Sequence, residues 1–133
     1  DLPIPLEAQY WTGAVFATNA ADGCTSLFAA SLAFSAYTGG AGGISAANMN
    51  AANISLGGAF VSGVGSLKLI KPTTPVPTIP GSVTLTIDLA AESKTYLQGN
   101  WGVPTYSANP SARAGFGIYG AQPRQFIFFR ERY

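Results

Sequence analysis

The sequence predicts an all-β domain, an immunoglobulin-like antiparallel β-sandwich of about seven to nine short strands. Three observations predict it. Residues 83–89 alternate without a break, with Val83, Leu85, Ile87 and Leu89 on one face and Thr84, Thr86 and Asp88 on the other, the period-two signature of a half-buried strand. Residues 6–11 alternate as well and run into a turn at Thr12 and Gly13, with residues 14–18 as a hairpin partner. Sixteen glycines and nine prolines then punctuate the 133 residues at short intervals, which suits many short strands.

Taken in order, the first strand sets Leu6, Ala8 and Tyr10 on one face against Glu7, Gln9 and Trp11 on the other. Residues 19–23 form a loop of turn-tolerant types. In residues 26–37 the alanines favour helix, but Leu27, Phe28, Leu32 and Phe34 interleaved with serine fit two strands or one long bent strand. After a glycine-rich stretch, residues 44–55 are small and polar and read as a long loop with room for one helical turn. Residues 59–61 and 66–70 are strands separated by Gly63 and Gly65. Pro72, Pro75, Pro77 and Pro80 make an extended edge or linker, because proline fixes φ and removes a ladder donor. Residues 96–97 open a short strand or turn, residues 102–110 form a loop, and residues 112–119 and 125–133 close the chain as a hairpin through 120–123. A length of 133 residues suits one domain.

Charged residues make up 10% of the chain, against about 25% in ordinary globular domains. A surface so poor in charge suits a secreted protein, or one whose surface is largely occupied by neighbours. The net charge is +1, and the basic residues are scattered until Arg124, Arg130 and Arg132; a nucleic-acid partner, which calls for a basic stripe, is not expected. No apolar run is long enough to cross a membrane as a helix. The chain opens on acidic Asp1 without a basic segment and an apolar core, so it is expected to be a mature product or an excised piece.

Catalytic chemistry is not expected. There is no histidine to serve as the base of a hydrolytic triad, and a single thiol cannot build a structural zinc site. The carboxylates Asp1, Glu7, Asp22, Asp88, Glu92 and Glu131 are dispersed. Asp22 reads as a turn cap, Asp88 as solvated, and Glu131 lies on the opposite strand face from Arg130 and Arg132. Gly39, Gly40, Gly42 and Gly43 lack the Lys-Ser/Thr pair that follows a phosphate-binding loop. Asn53-Ile54-Ser55 is formally a glycosylation sequon. Cys24 is the sole cysteine; it is either a small buried hydrophobe or half of a pair whose partner lies in another chain or in further sequence. Trp11, Trp101, Tyr96 and Tyr106 could stack on the apolar faces of sugars. Large aromatics more often serve as core or rim, and the loop-borne Trp101 and Tyr106 are the candidate ligand-stacking pair.

The stretch LPIPLEAQYW at residues 2–11, NAADGCT at 19–25, NPSARA at 109–114, FGIY at 116–119 and RERY at 130–133 together resemble the uncharacterised C-terminal domain of MshQ-type proteins. These belong to the biogenesis locus of the mannose-sensitive haemagglutinin, a type IV pilus. The matches lie at the two ends of the chain and in the right order; the middle matches in character only. The resemblance implies an exported surface protein of pilus assembly or adhesion, with no catalytic residues, no cofactor and no metal to carry over. In that family further β-rich sequence precedes the LPIPL stretch, so the chain is expected to be a fragment or processed product of a longer surface protein.

These readings converge on a secreted, cell-surface, non-catalytic structural or adhesive domain whose partners are copies of itself or other pilus and surface proteins. An edge left open by a missing strand would accept a strand from another chain, and repetition of that contact would build a filament. The candidate inter-subunit strands are Leu2, Ile4 and Leu6 at one end and Phe126, Ile127, Phe128 and Phe129 at the other. The competing expectation is a lectin-like module that binds glycans through an exposed aromatic groove.

Overall fold

A computed structural model of the chain describes residues 1–73, 80–99 and 105–117. Eight strands lie among them: β1 (Leu2–Glu7), β2 (Gln9–Trp11), β3 (Phe16–Thr18), β4 (Leu32–Ser35), β5 (Ile54–Leu56), β6 (Val64–Leu69), β7 (Gly81–Ile87) and β8 (Ser111–Phe116). They form three antiparallel sheets, ordered β1-β6-β5, β2-β3 and β4-β7-β8. The remaining regular structure consists of 3₁₀ turns at Ala29–Ser31, Ala51–Asn53 and Thr95–Leu97. No helix among the described residues is long and apolar enough to cross a membrane.

The two three-stranded sheets share one apolar core. Ile4 and Leu6 of β1 and Leu67 and Leu69 of β6 join Leu32 of β4, Val83, Leu85 and Ile87 of β7 and Ala114 of β8 in a single cluster. Strand alternation produces this directly: the β6 pattern is exposed at Val64, Ser66 and Lys68 and buried at Gly65, Leu67 and Leu69. Truncating a residue such as Leu67, which is 1% exposed, costs about 2–5 kcal/mol in cores of this kind. All four residues expected inward, Val83, Leu85 and Ile87 on β7 and Leu89 two residues beyond it, are buried.

The pairing of β1 fixes which of its residues face away from β6. Ala8 donates its N–H to the Gly63 carbonyl at 2.8 Å, and β1 pairs with β6 through Leu2↔Leu69, Ile4↔Leu67 and Leu6↔Gly65. On the other edge of β6, Ile70 donates to Asn53 and Gly57 donates to Ser66. Even-numbered residues of β1 therefore turn their backbone groups toward β6, and Pro3 and Pro5 face the opposite edge, where a proline has no N–H to offer.

Several elements depart from expectation. Residues 59–61 are not a strand: Val61 and Val64 close a tight turn, which Ser62 (φ +51°) and Gly63 (φ +78°) make possible. Residues 26–37 hold one short strand, β4, preceded by the Ala29–Ser31 turn. The stretch 44–55 is mostly turns, as expected, but it ends in strand β5 and it buries Ile44 and Met49 completely enough to belong to the core. Tyr10, expected on the same face as Leu6 and Ala8, is 52% exposed while those two are buried, because the chain changes partners at Ala8: its N–H goes to Gly63 and its carbonyl accepts from Asn19. The phase of β1 is lost there, and β2 pairs with β3 instead. Residues 96–97 lie in a 3₁₀ turn, one of the two forms expected of them. Of the strand expected over 112–119, the described residues form β8 as far as Phe116, while the partner strand 125–133, with Phe126, Ile127, Phe128 and Phe129, lies outside the described residues.

Candidate functional site

A cleft of about 600 Å³ opens between the β2–β3 hairpin, the loop after it and the segments around residues 95–99 and 105–110. That volume lies within the range of small-ligand sites. The hairpin supplies Tyr10, Trp11 and Phe16, and the facing segments supply Tyr96 and Tyr106.

Local chemistry holds the hairpin aromatics. The Thr12 hydroxyl donates to the Val15 carbonyl at 2.9 Å and accepts the Val15 N–H at 3.1 Å, closing the turn with one side chain. Gly13 takes φ +95° inside it, a conformation that favours glycine. The strands so joined bring Trp11 and Phe16 into register, with ring centroids 5.1 Å apart and planes tilted by 50°, within the preferred range for aromatic pairs. At the root, the Thr18 hydroxyl donates to the Glu7 carboxylate.

Asp22 shapes the next loop. Its Oδ1 accepts the N–H groups of Thr25 (2.9 Å) and Cys24 (3.2 Å), the capping role expected of it. The hydrogen bonds from the Thr25 hydroxyl and N–H, helped by Cys24, hold the carboxyl below its usual range against the opposing effect of burial. Cys24 itself is exposed and lines the cleft. The reading of it as a buried hydrophobe is therefore corrected: the turn fixed by Asp22 turns its neighbour outward.

The Tyr96 and Tyr106 segments are tied together by a residue that sequence reasoning did not single out. Asn109 Oδ1 accepts from the Leu89 N–H (3.1 Å) and from Gln98 Nε2 (3.0 Å), and Asn109 Nδ2 donates to Asp88 Oδ1 (3.3 Å). Gly99 and Ala108 bridge the same two segments through paired backbone bonds. Asp88 is half-buried and also accepts the Ala90 and Ala91 N–H groups, so it is a turn-former rather than a solvated carboxylate. A signal was present, since an asparagine directly before a proline commonly opens a turn.

A second polar group ties residues 92–94 to Phe28. The Glu92 side chain is 0% exposed and the Lys94 side chain 14%, with Nζ and Oε2 2.9 Å apart. Glu92 Oε1 accepts the Phe28 N–H at 2.7 Å. Burial is the strongest single influence on this carboxyl and opposes its ionisation. The Phe28 N–H, the Lys94 ammonium and the Ser31 hydroxyl together outweigh it, and the pKa is lowered.

The predicted site residues separate. Tyr106 is 57% exposed at the cleft, joined there by Trp11 and Tyr96; Trp101 lies outside the described residues. Leu2, Ile4 and Leu6 are paired with β6 inside the chain, and Ile4 and Leu6 are buried. The sequon is occupied by the fold: Asn53 Nδ2 donates to the Ile70 carbonyl and its Oδ1 accepts the Asn50 N–H. Among the described residues no cluster of three or more His, Cys, Asp or Glu could hold a metal ion.

A family model described as DUF6701, fourth domain, matches residues 1–132. No curated protein and no solved structure matches the chain.

Proposed function

This chain belongs to the DUF6701 family, as a fourth domain, and on that premise we propose that it is a non-catalytic, extracellular adhesive domain of a bacterial pilus or surface-fibre system of the MshQ type, with an immunoglobulin-like sandwich as its scaffold. The observation that carries the adhesive role is the cleft walled by Tyr10, Trp11, Phe16, Tyr96 and Tyr106. Rings exposed to this degree are costly on a surface with no partner, and flat apolar faces beside polar groups are what a sugar ring requires. The ligand class proposed is therefore a glycan. The low charge of the whole chain and the end-motif resemblance support a surface location.

Glycan binding by the purified domain tests this, with Tyr106→Ala and Trp101→Ala as variants. Tyr106 is exposed, so its truncation should remove binding at least ten-fold while the thermal transition stays in place. Undiminished binding in Tyr106→Ala would move the site elsewhere. Trp101→Ala separates ligand stacking, which loses binding alone, from a core role, which loses the fold.

A second reading, filament assembly by strand pairing between subunits, draws support from β8. Its even-numbered residues pair with β7, through Gly81↔Phe116, Val83↔Ala114 and Leu85↔Ala112, with Pro110 accepting from Ile87. Ser111, Arg113 and Gly115 thus turn their backbone groups to an edge that carries no partner strand among the described residues. Residues 126–129 would be the donor. Light scattering across concentration tests it: growth into ordered fibres supports assembly, and a constant monomer removes it.

A further inference from the structure

We infer that the cleft selects neutral oligosaccharides and rejects anionic ones, an inference that rests on the glycan-binding reading above. The charged residues among its described lining are Glu7 and Asp22, both carboxylates. Asp22 is held ionised by the bonds from Thr25 and Cys24, and no lysine or arginine shares the described lining. Of the described cations, Lys94 lies against Glu92, Lys68 near Asp1 and Arg113 on the Ser82 hydroxyl, and Lys71 is not part of the described lining. Aromatic faces add to the same sign, because a ring presents its negative quadrupole to whatever lies over it. Such a surface attracts the C–H face of a neutral sugar and repels a carboxylate, sulfate or phosphate.

The polar groups agree. Carboxylates accept hydrogen bonds and donate none when ionised, while the Gln9 and Gln98 amides, which also line the cleft, can do both. Sugar hydroxyls satisfy acceptors and donors alike; an anionic substituent would bring further acceptors to a site already rich in them. The volume, in the middle of the range that small-molecule sites span, suits an oligosaccharide better than a single sugar.

The test pairs each neutral oligosaccharide with the same oligosaccharide carrying a sialic acid or a uronate, and measures binding by calorimetry on the full chain. The neutral partner should bind at least ten-fold more tightly. That gap should narrow in ~1 M salt, where the screening length falls to ~3 Å, and in Glu7→Gln, whose amide can still accept from Thr18. Equal or tighter binding of the acidic partner overturns the inference and leaves the glycan reading standing. So does a gap that neither salt nor Glu7→Gln alters, since it would then owe nothing to charge. Failure of every oligosaccharide, neutral and acidic, removes the glycan reading itself, and this inference with it.

Discussion

Glu92 is buried at no exposure beside a nearly buried Lys94, and what its carboxylate contributes depends on remaining charged. Three donors, the Phe28 N–H, the Lys94 ammonium and the Ser31 hydroxyl, lower its pKa despite desolvation. A group whose folded pKa is depressed stabilises the fold fully above its unfolded value, here the ordinary 4.5, and loses that contribution as pH falls through the lower folded value. Asp22 acts with the same sign. Stability measured by urea unfolding should therefore be level near pH 7 and fall as pH drops below about 4.5. Glu92→Gln should cost roughly 1–3 kcal/mol at pH 7, as an unsatisfied buried partner does, and should flatten the acid side of the profile. An unchanged acid slope in that variant would show that Glu92 is not the group responsible.

At the scale of elements, the two edges of β1 differ in kind. The inner edge bonds to β6, and the outer edge, which carries no partner strand among the described residues, holds Pro3 and Pro5, which offer carbonyls and no N–H. Edge prolines are a common defence against unwanted strand pairing. Pro3→Val with Pro5→Val restores two donors on the outer edge and leaves the even-numbered ladder intact. The expected outcome is self-association of a folded protein, seen as a rise in scattering mass with an unchanged circular dichroism spectrum. A variant that stays monomeric at high concentration would show that the prolines do not guard this edge. The prolines also weaken the expectation that Leu2, Ile4 and Leu6 pair between subunits, since their backbone groups already face β6.

What was legible at this scale follows from where information is local. The β7 alternation needs only its own seven residues, and each inward assignment there matches burial. The Thr12–Gly13 turn and its hairpin are likewise local. Tyr10 was misplaced because its orientation depends on Ala8 bonding to Gly63 and Asn19, contacts distant in sequence. The apolar run at 59–61 looked like a strand, but Gly63 must approach Asn19 so closely that a Cβ there would collide with its carbonyl, and the chain turns instead. Cys24 failed for a similar reason, since the Asp22 cap decides its exposure.

At the scale of the molecule, the all-β class was readable from Gly and Pro spacing, and two sheets meeting in one core satisfy it. The cleft was readable only in parts. Tyr106 stood out as a loop-borne aromatic, yet nothing local joins it or Tyr96 to Trp11, more than eighty residues earlier in the chain. Asn109, bonded to Leu89 and Gln98, and the Gly99–Ala108 bridge tie the Tyr96 and Tyr106 segments to each other, and Trp11 comes to the same cleft from the hairpin. Tertiary pairing thus assembles a wall that no window of sequence contains.

The most direct test of the central claim is a titration of isotopically labelled protein with a bound neutral oligosaccharide, followed by backbone amide chemical shifts. Perturbations should gather at Tyr10, Trp11 and Phe16 on the hairpin and at Tyr96, Gln98 and Tyr106 across the cleft, with β5 and the outer edge of β1 silent. Perturbations that spare both groups and gather on another face would contradict the account, because the aromatic cleft would then not be where this domain meets its ligand.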